Sequence, residues 1–468
     1  MFASRGYQVL FVSTRGTFDS GGELDPFRHE VEDGMRVVEW MRKQEWYTGS
    51  FATFGGSYLG FTQWALLCDP PEDMTTAVIV VGPHDFGRAH WRSGALSMDI
   101  INWTNMVVMR ESNFPRMMFK SIGSMRRLQP VIRSIPLWQN VERHLGGSAP
   151  WLGNIVTQPN LEDPYYQPMK LSQALENTNI PILLLSGWYD VFLGQTMEQY
   201  FRLRDRGVKV AMTIGPWDHA GAIVGAMNNR QSFEWIEKHH SGRSEQEREH
   251  AVHYYVAGAK EWRFTNQFPP STAQHVFYLH EGNTLGGTRP SLDVAPSNFI
   301  YDPLDPTPTI GGNILNGGGR VNDSALSLRS DVLTFTTELL EKDIEVVGEP
   351  SIELTHSTDN PYADISVRIS EVDERGRSSN ITETFQRLDP NRGDERTILL
   401  KLNYCAHRFQ RGKKIQLTIA GGTFPHFARN QGVPNEDNQA SEVKSVRHTV
   451  WHGSGGLSRI VLPVVINQ

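Results

Sequence analysis

A chain of 468 residues has room for about three domains of ordinary size, which excludes a short disulfide-stapled scaffold. Its 39% hydrophobic and 21% charged residues are those of a folded globular protein, and a net charge of −7 without a dense Lys/Arg run excludes nucleic acid as an expected partner. The longest apolar runs, Ala77 to Val81, Ile180 to Leu185 and Val461 to Ile466, fall far short of the ~18 residues of a membrane-spanning helix, so no membrane association is expected.

Met1 to Gly6 lacks the apolar core of a secretory signal and runs straight into a strand pattern at Tyr7 to Ser13, which points to the cytoplasm. Val9 to Val12 reads as a strand, and Glu30 to Gln44 as a helix with Val31, Met35, Val38 and Met41 at helical spacing. A strand at Phe51 to Phe54, a helix from Tyr58 to Cys68 and a strand at Val78 to Val81 continue the alternation. Such βαβα order predicts parallel strands with helices on both faces. From Arg88 to about Lys170 the chain changes to Trp- and Met-rich helical stretches broken by prolines, six of its 14 Met falling between Met98 and Met125. This reads as an inserted helical subdomain.

The α/β pattern resumes with strands at Ile182 to Leu185 and Val208 to Ile214, a helix at Gln195 to Arg206 and a last strand at His253 to Ala257. After about Asn266 short alternating runs such as Val332 to Thr336, Ile365 to Ile369 and Ile415 to Ile419 are separated by turns that include Gly311-Gly312 and Gly317-Gly318-Gly319, the pattern of a β-sandwich. The two cysteines, Cys68 and Cys405, read as separate buried side chains, and without a C-x-x-C pair no metal site is expected.

Directly after the strand Phe51 to Phe54 comes Gly55-Gly56-Ser57-Tyr58-Leu59-Gly60, leading into a helix. A serine on a tight strand-to-helix turn is held clear of the backbone, and small neighbours permit the close approach this turn needs. The closing glycine stands at 60 rather than 59. A serine hydroxyl needs a base, and the base an orienting carboxylate. The strand at Ile182 ends in Ser186-Gly187-Trp188-Tyr189-Asp190 and the next in Gly215-Pro216-Trp217-Asp218-His219. Both candidates lie past the carboxyl end of a buried strand, where open α/β sheets bind ligands, in the chain order Ser, Asp, His. Asp218 adjoins His219 but is expected to point away, so Asp190 is the expected orienting acid.

These three segments resemble the catalytic motifs of the cocaine esterase (CocE/NonD) hydrolases, relatives of X-prolyl dipeptidyl aminopeptidases. Thr14-Arg15-Gly16, Glu261-Trp262-Arg263, Tyr301-Asp302-Pro303 and Thr423-Phe424-Pro425 add to the likeness, which runs from about Gly6 to Pro463. The resemblance implies an α/β-hydrolase domain in two parts (1–85 and 173–266), a helical cap between them (86–172) and a C-terminal jelly-roll β-sandwich (267–468). It also implies Ser57 as nucleophile, His219 as general base and acid, Asp190 as orienting acid, and an acyl-enzyme formed without metal or cofactor. The Tyr58 backbone N–H is the expected first oxyanion donor. The family's second donor, a tyrosine hydroxyl, lies upstream of the segment matching Tyr7 to Ser13 and is expected to be missing from the chain. A strand expected between Tyr7 to Ser13 and Phe51 to Phe54 would be missing with it, so the chain reads as N-terminally incomplete, and a signal peptide upstream would escape notice.

Asp85, Trp91, Trp188, Tyr189 and Trp217 are the candidates for the substrate pocket, Asp85 as partner of a substrate ammonium and the aromatic residues as apolar walls. The expected substrate is a small-molecule ester or a short peptide, with homo-oligomerisation left open. The leading reading is a serine esterase. An X-Pro dipeptidyl aminopeptidase or α-amino-acid ester hydrolase is one alternative, and a degenerate, non-catalytic binding protein that lacks part of its oxyanion hole is another.

Overall fold

The computed structural model describes residues 2–109, 126–291, 293–393, 396–435, 437–453 and 455–466. Six strands, β1 (Phe51–Gly56), β2 (Met74–Val80), β3 (Ile182–Tyr189), β4 (Val210–Asp218), β5 (Val252–Val256) and β6 (Glu261–Thr265), lie side by side in chain order. β1 to β5 are parallel, and β6 returns antiparallel on β5. The central strands read as unbroken apolar runs because both of their faces are covered. Ala77, Ile79, Ile182 and Leu184 pack with Trp64, Leu193 and Met197 on one side. Their neighbours Val78, Val80, Leu183 and Leu185 pack with Trp235 and Ile236 on the other. Helices α1 (Glu30–Met41) and α2 (Tyr58–Leu67) precede and follow β1.

Between β2 and β3 the chain leaves the sheet to build helices that include α3 (Phe86–Trp91) and α4 (Asp99–Val107). Their apolar faces, with Leu96, Ile101, Val141, Leu152 and Ile155, fuse with the core above α2. Much of the methionine-rich stretch lies at 110–125, outside the described residues.

Beyond β6, thirteen strands from Thr272–His280 to Arg459–Val465 form one hydrogen-bonded system around a second core that includes Phe335, Ile352, Leu354, Val367, Leu417 and Ile460. All pairings are antiparallel except that of Thr284–Gly286 with Val332–Thr337. This all-β region grips the cap through backbone bonds from Met98 N–H to His426 O (2.9 Å), Ala428 N–H to Leu96 O (2.8 Å) and Arg387 N–H to Ser93 O (2.7 Å). The architecture is that of an α/β-hydrolase with an inserted helical cap and a C-terminal β-sandwich.

The structure corrects two expectations. His253 to Ala257 is not the last strand of the first sheet, because Glu261–Thr265 turns back on it. Tyr7 to Ser13 is no strand. It has strand composition, but among the described residues no ladder partner lies beside it, and an extended segment without one exposes both its backbone and its apolar side chains. Val9 is 57% and Phe11 80% exposed. β1 accordingly stands at the edge of the sheet.

Candidate active site

Ser57 sits where β1 meets α2, with φ 58° and ψ −119°, a left-handed backbone that costs a non-glycine residue about 1–3 kcal/mol and persists only when its surroundings enforce it. The Ser57 N–H donates to Val80 O at 2.9 Å, and Ser57 O accepts from Gly60 N–H at 2.8 Å and Phe61 N–H at 3.1 Å. Gly60 explains the displaced closing glycine: a Cβ there would lie 2.5 Å from Gly82 Cα, where α2 crosses the end of β2. The Tyr58 N–H heads the first turn of α2, where no helical carbonyl precedes it.

Asp190 and His219 follow β3 and β4 on the same edge of the sheet. His219 Nδ1 meets Asp190 Oδ1 at 2.6 Å and His219 Nε2 meets Ser57 Oγ at 2.9 Å. A carboxylate can only accept, so in the neutral imidazole Nδ1 is the donor to Asp190 and Nε2 the acceptor for the serine hydroxyl. The other oxygen, Asp190 Oδ2, accepts from the Phe192 N–H at 3.0 Å and the Ser186 hydroxyl at 3.3 Å, which fixes the carboxylate plane. Asp190 and His219 are buried while Ser57 remains partly open. Asp218 points away, as the sequence suggests: its carboxylate caps the following helix by accepting from Gly221 N–H at 2.8 Å.

Above Ser57 opens a cleft of about 440 Å³ with apolar walls of Phe27, Tyr58, Phe86, Trp103, Phe192 and Leu315 and a polar side of His90, Ser97 and Asp99. Burial pushes the Asp99 carboxyl up to about 6, opposed by a bond from the Leu315 N–H at 3.2 Å and by the field of His219. Burial also lowers His90 to about 3, keeping its imidazole neutral, and His90 Nε2 has no hydrogen-bond partner. Glu30, at the start of α1, accepts from the Tyr58 hydroxyl, the Phe27 N–H at 3.1 Å and the His29 N–H at 2.9 Å, tying the cleft wall to the serine turn. A smaller cavity, about 250 Å³, lies at the seam of cap and sandwich and contains none of these groups. Among the described residues no cluster of three or more His, Cys, Asp or Glu is arranged to hold a metal ion, and no helix is long and apolar enough to cross a membrane.

None of the five expected pocket residues lines this cleft. Asp85 caps α3, accepting from Arg88 N–H at 2.9 Å. Trp91 lies in the core of the cap with its indole N–H on Ile155 O at 2.8 Å, and Trp188 likewise donates to Tyr255 O at 2.7 Å. Tyr189 is buried, and Trp217 packs on Trp262 with ring centroids 5.8 Å apart. Only Tyr189, next to Asp190, is turned away by the alternation of an extended chain; the other four are taken up by the cap, core packing and hydrogen bonds just given. Sequence reasoning missed Phe27, His90, Asp99, Trp103, Phe192 and Leu315. Only the aromatic and acidic content of the 86–107 stretch hinted at some of them.

Residues 1–221 match the X-Pro dipeptidyl-peptidase (S15) family and residues 244–461 the X-Pro dipeptidyl-peptidase C-terminal non-catalytic domain. The cocaine esterase of Rhodococcus sp. (strain MB1 Bresler) is 26% identical, the match covering 99% of this chain and 89% of that protein. The fold is similar to that of an aminopeptidase from a marine sediment archaeon (Thaumarchaeota archaeon), with TM-score 0.81, 18% identity and coverage of 97% of this chain and 84% of that one. An α-amino acid ester hydrolase matches with TM-score 0.81, 18% identity and coverage of 96% and 84%. The chain is therefore a cocaine esterase homologue that joins an X-Pro dipeptidyl-peptidase (S15) domain to the C-terminal domain of the same family.

Proposed function

We propose that the protein is a serine esterase that cleaves acyl esters through an acyl-enzyme on Ser57. The observation that carries this reading is the continuous path from Asp190 through His219 to Ser57, at 2.6 and 2.9 Å. His219 Nε2 takes the hydroxyl proton as Ser57 Oγ bonds to the ester carbonyl carbon, and Asp190 stabilises the imidazolium that forms. The Tyr58 N–H donates to the resulting oxyanion, a contribution of about 3–4 kcal/mol for one such donor. Collapse breaks the bond to the alcohol oxygen, which leaves with the proton from His219. A water then gives its proton to His219 and attacks the acyl carbon, and the serine departs protonated. The apolar walls suit an aliphatic or aromatic acyl or alcohol group, in keeping with the relative named as a cocaine esterase.

Asp99 supports a second reading, hydrolysis of α-amino esters or X-Pro peptides, because a cleft carboxylate suits a substrate ammonium. Steady-state kinetics on a phenyl ester, the matching α-amino ester and an X-Pro anilide separate the two. A kcat/KM highest for the neutral ester and lost in Ser57→Ala supports the esterase. Preference for either amine-bearing substrate favours the second reading, and turnover that survives Ser57→Ala overturns both.

A further inference from the structure

The sandwich reaches into the hydrolase site at one point. Gly311 and Gly312 are both left-handed, with φ 61° and 90°, and a Cβ on Gly312 would collide with the Glu383 carboxylate. Gly312 is therefore pressed against that group, and Gly312 and Gly319 pin the loop shut by exchanging backbone bonds of 2.9 Å each way. Glu383 Oε1 accepts from the Asn313 N–H at 3.1 Å. Its other oxygen is bound by the Arg368 guanidinium, which also donates to Ile310 O at 2.7 Å. The turn thus has a rigid floor, a buried ion pair inside the sandwich.

This floor aims Asn313 out of its own domain. The Asn313 Nδ2 amide donates to Trp188 O at 2.8 Å and to Asp190 O at 3.0 Å, bracketing the segment that carries Asp190. Both acceptors are carbonyls, so the amide has one possible orientation, and its Oδ1 accordingly accepts from Asn403 Nδ2 at 3.2 Å. Asn313 is only 6% exposed, which keeps water from competing for these bonds. Two residues on, Leu315 forms part of the cleft wall and its N–H holds Asp99.

We propose that the loop from Gly311 to Gly319 is a working part of the active site, in which Asn313 is the positioning residue for Asp190. The inference rests on the triad reading above and assigns a role to a region whose family description is non-catalytic. Within the α/β domain the segment is held by local bonds, Asp190 N–H to Gly187 O at 3.1 Å and Leu193 N–H to Asp190 O at 3.2 Å, and the Asn313 clamp ties it to the sandwich. Asp190 directly follows β3, whose register with β4 shifts between Gly187 and Tyr189. Losing both bonds lets the backbone that carries Asp190 shift and takes its carboxylate out of line with His219 Nδ1, and misplacement of a reacting constellation by about 1 Å costs on the order of 100-fold.

The test is a double-mutant cycle on phenyl ester hydrolysis, with thermal melting as the check on folding. Asn313→Ala is expected to lower kcat about 10- to 100-fold with KM changed by less than about threefold. The acid limb of kcat/KM is expected to move to lower pH, because a displaced carboxylate stabilises the His219 imidazolium less; a merely structural role would leave that limb in place. In an Asp190→Ala background, Asn313→Ala is expected to have no further effect. Should Asn313→Ala fail to fold, Asn313→Asp, of the same shape but without the amide donors, decides: the same displacement of the limb supports the proposal, and an unmoved limb overturns it. Unchanged kcat and pH profile in folded Asn313→Ala, or a full additional loss in the Asp190→Ala background, overturns the positioning role. Wild-type turnover in Asp190→Ala itself overturns the triad reading beneath it.

Discussion

The reacting edge of the sheet and the cleft above it are built in opposite ways. Ser57, Asp190 and His219 each stand on a turn directly after a parallel strand, so the alignment of β1, β3 and β4 brings them to one edge within hydrogen-bond reach. The cleft has no such common frame. Phe27 comes from before α1, Phe86, His90, Asp99 and Trp103 from the cap, Phe192 from the loop after β3 and Leu315 from the sandwich. One half of the site is fixed by short-range turns on a shared scaffold, the other by contacts among segments remote in sequence. The chemistry should therefore respond all-or-none to substitution, and the cleft by degrees.

The largest effect expected on the sheet edge, after that of Ser57→Ala, is that of Asp190→Asn. It keeps the shape but lets His219 adopt the wrong tautomer, and kcat is expected to fall about 10⁴-fold with KM nearly unchanged. A loss below about tenfold in steady-state assays would break the contrast between the two halves. In the cleft, Trp103→Ala is expected to lower kcat/KM for aromatic esters roughly tenfold, mostly through KM, as apolar contact with the substrate is lost. Its counterpart Trp91, expected from sequence to line the pocket but buried in the cap, should behave otherwise. Trp91→Ala is expected to cost about 3–5 kcal/mol in denaturant unfolding and to leave KM unmoved wherever the protein stays folded.

Asp99 offers a pH-dependent check on the cleft. With its folded pKa raised to about 6 by burial, native Asp99 holds its proton more tightly than the unfolded chain does. That contribution to stability is full below the ordinary carboxylate range near 4 and is lost as pH rises through 6. Asp99→Asn is thus expected to be more stable than wild type by about 1–3 kcal/mol at pH 7.5, with the gap closing toward pH 4. If unfolding shows a gap that does not vary with pH, Asp99 is not desolvated as described.

The same contrast governs what could be read from sequence. The motif around Ser57 was legible because the turn needs a positive φ and a close approach, both written locally in its glycines, and Asp190 and His219 because they end apolar strand runs. Trp188, Tyr189 and Trp217 misled because adjacency in sequence is not adjacency in space. Tyr7 to Ser13 misled for a related reason: alternation marks a segment able to pair, but a strand exists only where a neighbour supplies the other half of the ladder. Asn313 and Leu315 were invisible as site residues, since Gly311-Gly312 reads as an ordinary turn until Glu383 is found beneath it.

Whether Ser57 is an activated nucleophile is decided by treating the full chain with a fluorophosphonate and mapping the adduct by mass spectrometry. One phosphonyl group per chain is expected, on Ser57, absent from folded Ser57→Ala and formed much more slowly in Asp190→Asn. An adduct on another residue, or a folded wild-type chain that takes up no label while a control serine hydrolase does, would contradict it.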